Sequence, residues 1–401
     1  MNLEEMTLDQ PEWFKENQII DVIFAEEYLK EHPMRRILGR LFTVDGPIED
    51  EESIRSDIYN MISEYAPIGT ARRAASLLEA VKVACYCDPL PIQQDRIHVA
   101  NGTYFLEDGF TPDKAFCMNR LPVEYNADAP TPERWLQFLS ELLYEEDIPT
   151  LQEYMGYLLI PSTRAQKMLI LIGKGGEGKS RIGCVLRKLF GDSMNTCSLQ
   201  KIEVNRFARA DLEFKLLSLD DDMQIEALPK TNIIKSLVTQ EGKIDIERKG
   251  IQSVQRHLYS RFLCFSNGTL RAKNDSSYAF YRRQMVIYVK DRAEDRIDDP
   301  YLADKLCAES EGILLWALEG LRRLIENDFR FTIGDRAKRV VETAERQANS
   351  IHGFLSSGYV RYERKAEATT SALYAAYERW CSENEMEPCS HKDFSGGVKD
   401  V

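Results

Sequence analysis

Hydrophobic and polar positions change their period several times along the chain, and each change marks an element. From about Gln18 to Leu90 apolar residues recur every three or four positions, as in "SIRSDIYNMISEY" and "ARRAASLLEAVKVACY", predicting helices that end at Pro89 and Pro91. In "RIHVANGTYFLEDG" apolar and polar residues alternate around Asn101-Gly102, predicting a β-hairpin that turns there. Helical spacing returns in Trp135, Phe138, Leu139 and Leu142, and again in Leu151, Met155, Leu158 and Leu159, with Pro149 dividing the two; core packing explains both stripes. Met168 to Ile172 is solid hydrocarbon, the pattern of a strand buried on both faces of a parallel sheet. Leu216 to Leu219, "RFLCFSN" and the stretch after Arg283 predict further strands. "GILLWALEGLRRLIEN" is an amphipathic helix, Ile333 to Ser350 a connecting helix or linker, and Leu373, Tyr377, Trp380 and Cys381 share a last helical face before a new start at Ser390. The expected domains are a tail over 1–17, a mainly helical α+β domain with a hairpin over 18–149, an α/β core with a parallel sheet over 150–330, and a small helical segment over 331–401.

A chain of 401 residues exceeds what one hydrophobic core serves, so several domains are expected, and 43% hydrophobic with 29% charged residues is the make-up of a globular protein. No apolar run is long enough to span a bilayer, and the acidic start "MNLEEMTLDQPEW" is unlike a signal peptide; a cytoplasmic location without membrane contact is expected. Nine cysteines without a CxxC pair predict reduced thiols, and Cys85-Tyr86-Cys87 and the trio Cys381, Cys389 and His391 read as core and turn residues, not zinc ligands. The acidic run Glu49 to Glu52 reads as a solvated loop. The net charge of −13 speaks against nucleic acid, but its distribution does not. Arg248, Lys249, Arg256, Arg261, Arg271, Lys273, Arg282, Arg283 and Lys290 lie in one stretch with a single acid, Asp275. That stretch is a candidate phosphate-contacting surface, with a solvated face as the alternative.

The strand Met168 to Ile172 runs into "GKGGEGKS". Gly173, Gly178, Lys179 and Ser180 have the phosphate-loop spacing, and Gly175 and Gly176 free the backbone to turn its N–H groups inward. In such a loop Lys179 reaches the β- and γ-phosphates and Ser180 holds Mg²⁺, with the N-terminus of a helix over Arg181 to Leu189 aimed at the anion. A chance glycine-rich turn is the alternative. An NTPase also needs an acidic strand end. In "KLLSLDDDMQ" Asp220 is the candidate Mg²⁺-linked acid and Asp221 the candidate base, Asp222 having no assigned role; the alternative is a solvated turn. Asn267 after "RFLCFS" can position the attacking water, and Arg282 or Arg283 can reach a neighbouring subunit's phosphate as an arginine finger, or be a surface pair.

The order of phosphate loop, "LDDD", "IDIERKG", "FSN" and "RR" before a strand resembles the superfamily 3 helicases, ring-forming AAA+ motors, and among them the phage and plasmid primase-helicases related to the poxvirus primase-helicase. "VANGTYFLEDG" and "LQEYMGYLL" resemble the segment before that motor, and "GILLWALEGLRRL" the one after it. The resemblance implies an AAA+ P-loop core binding ATP and Mg²⁺ at subunit interfaces of a homohexamer, and 3′ to 5′ translocation on single-stranded and forked DNA, with a primase or initiator as further partner. It also implies that "GKIDIERKGIQSVQ" is a channel hairpin gripping the DNA backbone through Lys249, with Arg248 beside it; Gly250 stands where papillomavirus-like relatives have histidine. Arg283, nearer the strand, is the favoured finger. The chain before the motor is too short for the primase domain of many relatives, and its carboxyl end resembles the start of a winged helix without the wing. An ATP-switched initiator or loader that never unwinds is the main alternative, and a small-molecule kinase indifferent to DNA is another.

Overall fold

The computed structural model describes residues 10–223, 231–239, 242–268, 278–292, 297–339, 350–361, 363, 366–384, 386, 388–391, 394, 395 and 398. The chain divides into two compact units, residues 1–125 and 126–401. The limit expected near Pro149 falls inside the second.

In the first unit a short hairpin, β1 (Phe14–Lys15) and β2 (Gln18–Ile19), precedes α1 (Asp21–Glu31). Strands β3 (Arg35–Ile37), β4 (Arg40–Thr43) and β5 (Gly46–Pro47) lead to α2 (Glu51–Ile62) and α3 (Thr70–Ala84), after which β6 (Tyr86–Cys87) completes a sheet of order β5-β4-β3-β6. The helices bury Phe24, Ile58, Leu77 and Val81 against one another. The acidic run is a loop only at Glu49 and Asp50, both exposed. Asp50 caps α2 by accepting the Glu52 N–H at 2.9 Å, and Glu51 and Glu52 occupy the first turn, where the helix dipole favours negative charge. The predicted hairpin is β7 (Arg96–Val99) with β8 (Gly102–Phe105), extended by β9 (Gly109–Thr111). Its turn is Ala100-Asn101, one residue earlier than expected. Asn101 is tied sideways to the Tyr125 backbone, and Gly102 is a strand residue because a Cβ there would strike β9 and the Phe110 ring.

The second unit opens with α4 (Glu133–Leu142), a 3₁₀ turn at Glu145–Asp147, and α5 (Ile148–Tyr157), with Pro149 in its first turn, where proline is tolerated. Then follow β10 (Met168–Ile172), α6 (Lys179–Phe190), β11 (Met194–Thr196), α7 (Leu199–Val204), a 3₁₀ turn over Arg206–Leu212, β12 (Leu217–Met223), α8 (Asn232–Thr239), β13 (Ile244–Arg248), β14 (Ile251–Arg256), β15 (Arg261–Ser266), α9 (Tyr278–Tyr281), β16 (Gln284–Tyr288), α10 (Leu302–Ala308) and α11 (Ser310–Glu326). Five of these strands form a parallel sheet of order β11-β12-β15-β10-β16. The parallel sheet with its helices makes this unit α/β. Pro149 is not a boundary because α5 packs on α11. Gly156 and Gly320 allow that approach: a Cβ at either would strike the other helix's backbone. Within α5, buried Glu153 accepts hydrogen bonds from Arg323 at 2.6 Å and Thr332 at 2.7 Å.

The stretch 340–349 of the expected connector lies outside the described residues. Beyond it, α12 (Ser350–Ser356) and α13 (Thr370–Glu383) share a small core of Phe354, Tyr377, Cys381 and Phe394. Tyr377 accepts the Cys389 N–H at 3.0 Å. Among the described residues no three His, Cys, Asp or Glu side chains gather as metal ligands would, and no helix is long and apolar enough to cross a membrane. All nine cysteines are free thiols.

Candidate functional site

Strand β10 is buried along its length between β15 and β16. Its carboxyl end is fixed on both sides, the Gly173 N–H donating to Ser266 O at 3.0 Å and the Val289 N–H to Ile172 O at 2.9 Å. The chain then turns through Gly175, Gly176 and Gly178 at φ of +108°, +83° and +116°, backbone that a Cβ would strain. A Cβ at Gly173 would lie 2.7 Å from Lys179 Nζ and 2.8 Å from Glu177 Oε1, so the loop closes on itself. Lys179 and Glu177 are both buried, with Nζ and Oε2 2.9 Å apart, while Glu177 Oε1 accepts the Gly175 N–H at 2.7 Å. Burial alone would raise the Glu177 pKa, but Lys179 and the Glu177 and Gly175 amides overcome it and hold the carboxyl below its ordinary range. Lys174 points out to Asp291 at 2.8 Å, and Ser180 is exposed at the start of α6.

The acidic strand β12 extends to Met223 and so contains all three aspartates, which its pleat and an irregularity between Asp220 and Met223 send to different places. Asp220 is 4% exposed. Its Oδ2 accepts the Leu199 N–H at 2.8 Å, at the start of α7, and the Asp222 amide also bonds it. Burial pushes its pKa up to about 6, with Asp221 and Asp222 adding to the rise. A buried carboxylate among other carboxylates, bonded by backbone N–H groups, has the chemistry of a divalent-cation ligand. Asp221 is exposed and pairs with Arg187 of α6 at 2.7 Å, and Asp222 is exposed. Between β10 and β12 runs β15, which ends in Ser266 with exposed Asn267 next. Ser266 Oγ donates to Met223 O at 3.3 Å, so this strand end is tied to both neighbours. Lys179, Ser180 and Asn267 therefore lie beyond the carboxyl ends of adjacent strands, where open α/β folds bind ligands, with Asp220 on the next strand level with Ile170, just inside that edge.

Strands β13 and β14 form the predicted hairpin, with exposed Lys249 and Gly250, at φ +74°, at its tip. Arg248 does not share the tip's exposure. It is ion-paired to Glu213, a carboxylate 4% exposed, which also meets Arg256 at 3.4 Å, and Arg206 meets Glu247 at 3.1 Å. The ion pair of Arg248, a predicted DNA contact, ties the hairpin to Glu213, the residue after the 3₁₀ turn before β12. Much of the basic stretch is likewise committed inward. Arg261 is buried and donates to Tyr259 O at 2.5 Å and Leu158 O at 2.6 Å, and Lys290 donates to Ser140 O at 2.7 Å. Arg271, Lys273 and Asp275 lie outside the described residues. Arg282 is exposed and Arg283 half-buried; both precede β16, at the amino end of the sheet. Five residues of strand separate them from the carboxyl edge, roughly 16 Å at about 3.3 Å per residue. Arg283 is therefore not brought to the loop of its own chain. Sequence reasoning missed Glu177, Glu213 and Glu203; the last accepts the N–H groups of Ile233 and Ile234 at 3.3 and 2.9 Å at the start of α8. Only Glu177 carried a signal, its place inside the loop.

The profile of a family of unknown function (DUF5906) matches residues 171–283, from within β10 to Arg283. Among solved structures the chain is similar to the A form apo structure of the NrS-1 C-terminal region, with 15% identity and a TM-score of 0.54 over 84% of this chain and 78% of that one. A second A form apo structure of that region, residues 305–718, gives 15% identity and 0.53 over 84% and 81%, and another apo structure of 305–718 gives 16% and 0.53 over 84% and 80%. At such identity the likeness is one of fold. No curated protein matches the chain.

Proposed function

We propose that the chain is an ATP-driven DNA helicase of the AAA+ superfamily 3 kind, acting in replication of a phage or mobile element as a homohexameric ring. The observation that carries this is one sheet edge bearing the Lys179 loop, Asn267 and buried Asp220 on three successive strands. Strands lie about 4.8 Å apart, so β12 and β10 are roughly 10 Å apart across β15, a span suited to a polyphosphate with its cation rather than to direct contact. In this reading the Gly175 to Gly178 backbone and Lys179 cradle the phosphates, Ser180 and Asp220 hold Mg²⁺, and Asn267 orients the attacking water. Bound Mg²⁺ would supply charge neutralisation at the β- and γ-phosphate oxygens. Arg283, remote from its own loop, acts on a neighbouring subunit's ATP. Lys249, held out on a hairpin anchored by Glu213, grips single-stranded DNA through its backbone, a sequence-independent and salt-sensitive contact.

Strand displacement with ATP and Mg²⁺ on duplexes bearing a 3′ or a 5′ tail tests this, with Lys179→Ala as the blank. Unwinding of the 3′-tailed duplex alone is expected; none on either tail, from folded and ATP-binding protein, would favour an ATP-switched initiator or loader. Lys249→Ala should abolish unwinding while basal ATPase survives. Arg248→Ala should instead lower thermal stability, by about 2 kcal/mol, because it strips a partner from buried Glu213.

A further inference from the structure

The phosphate-loop spacing fixes Gly173, Gly178, Lys179 and Ser180 and leaves position 177 open. Here it holds a glutamate 3% exposed, whose two oxygens take the Gly175 N–H at 2.7 Å and Lys179 Nζ at 2.9 Å. A loop amide and the lysine ammonium are the donors with which such a loop grips a phosphate. Lys179 is itself 9% exposed, so the carboxylate and the closed loop cover it. We propose that Glu177 is a built-in competitor for the phosphate seat, and that a ligand gains Lys179 and the Gly175 amide only by displacing this carboxylate. The proposal rests on the nucleotide-binding reading above. Its consequence is a threshold that only a ligand of high charge passes. A single carboxylate is outbid by a di- or triphosphate, which brings several negative charges and a cation that Asp220 can share, whereas inorganic phosphate competes on nearly equal terms.

The test is calorimetric titration of the full chain and of Glu177→Gln with MgATP, ADP and inorganic phosphate. Glu177→Gln should bind MgATP at least about tenfold more tightly, which is ~1.4 kcal/mol, and should gain about the same factor for ADP and inorganic phosphate, because each displaces the same carboxylate. Unchanged or weaker binding of every ligand by folded Glu177→Gln overturns the proposal; Glu177→Ala is the second variant. A nucleotide-free check is the thermal unfolding of Lys179→Met, which strands a buried charge and should lower Tm, and of Lys179→Met with Glu177→Gln, which should recover most of the loss. No recovery refutes the ion pair. If that recovery is seen but neither the wild type nor Glu177→Gln binds any of the three ligands, the nucleotide reading fails and the competitor role falls with it.

Discussion

At the carboxyl end of the five-stranded sheet, Lys179 faces Glu177, and Asp220 leans on the Leu199 N–H of a neighbouring helix. At the amino end Arg261, equally buried, is enclosed by the carbonyls of Tyr157, Leu158 and Tyr259 and lies over the Tyr157 ring. Tyr157 and Leu158 close α5, so the guanidinium satisfies carbonyls that a helix end leaves without partners. Burial lowers its pKa to about 10, still charged at neutral pH. The two ends differ in what their charges are spent on. A cation bound to fixed backbone carbonyls belongs to the architecture, whereas a cation held by a side chain that a ligand can replace is available for chemistry.

The largest expected effect comes from breaking the architectural end. Arg261→Met should leave the α5 carbonyls buried and unsatisfied, costing about 3 kcal/mol or more and lowering Tm by roughly 10 °C in thermal unfolding. An unchanged Tm would mean that the enclosure contributes nothing, and the contrast between the two ends would fail.

Asp220 should behave in the opposite way. Its folded pKa of about 6 lies above the usual 3.8, so the fold favours the protonated form. The resulting penalty is absent below about pH 4, grows as pH rises from there to the folded pKa, and stands at about 3 kcal/mol above pH 7. Asp220→Asn removes the charge and keeps an oxygen for the Leu199 N–H. It should therefore be more stable than wild type at pH 7.5 and equal to it at pH 4, while hydrolysing ATP about a hundredfold more slowly. Lower stability of the variant at pH 7.5 would show that the carboxylate is structural.

This contrast also explains what could be read in the sequence. The glycine loop, the apolar strands and the hairpin are written locally, in spacing and alternation, and the structure has elements there. What satisfies a charge is not local. Arg248 finds Glu213 at 35 residues' separation and Arg261 finds Leu158 at 103, so residue type alone put both on a DNA-facing surface. Register is subtler still. A strand that continues through Asp220 to Met223, rather than ending at Leu219, turns three adjacent acids into one buried and two exposed, and a hairpin turn moves by one residue because Gly102 must sit under β9.

The smallest effect tests the neighbour of Asp220. Asp221 and Arg187 form an exposed pair, each nearly half accessible, and such pairs contribute at most about 1 kcal/mol. Asp221→Asn should therefore change Tm by a degree or two, whatever its role in catalysis. Its ATPase rate separates two arrangements. If Asp221 orients the attacking water, the Arg187 contact must open when ATP binds; Asp221→Asn should then lose as much activity as Asp220→Asn, and Arg187→Ala, which frees the acid, should retain or raise it. If the pair only pins α6 to β12, both variants should show the same mild loss. A rate near wild type for Asp221→Asn would leave Asp220 as the one acid of this strand on which hydrolysis depends, and would make the Arg187 pair a part of the architecture like Arg261.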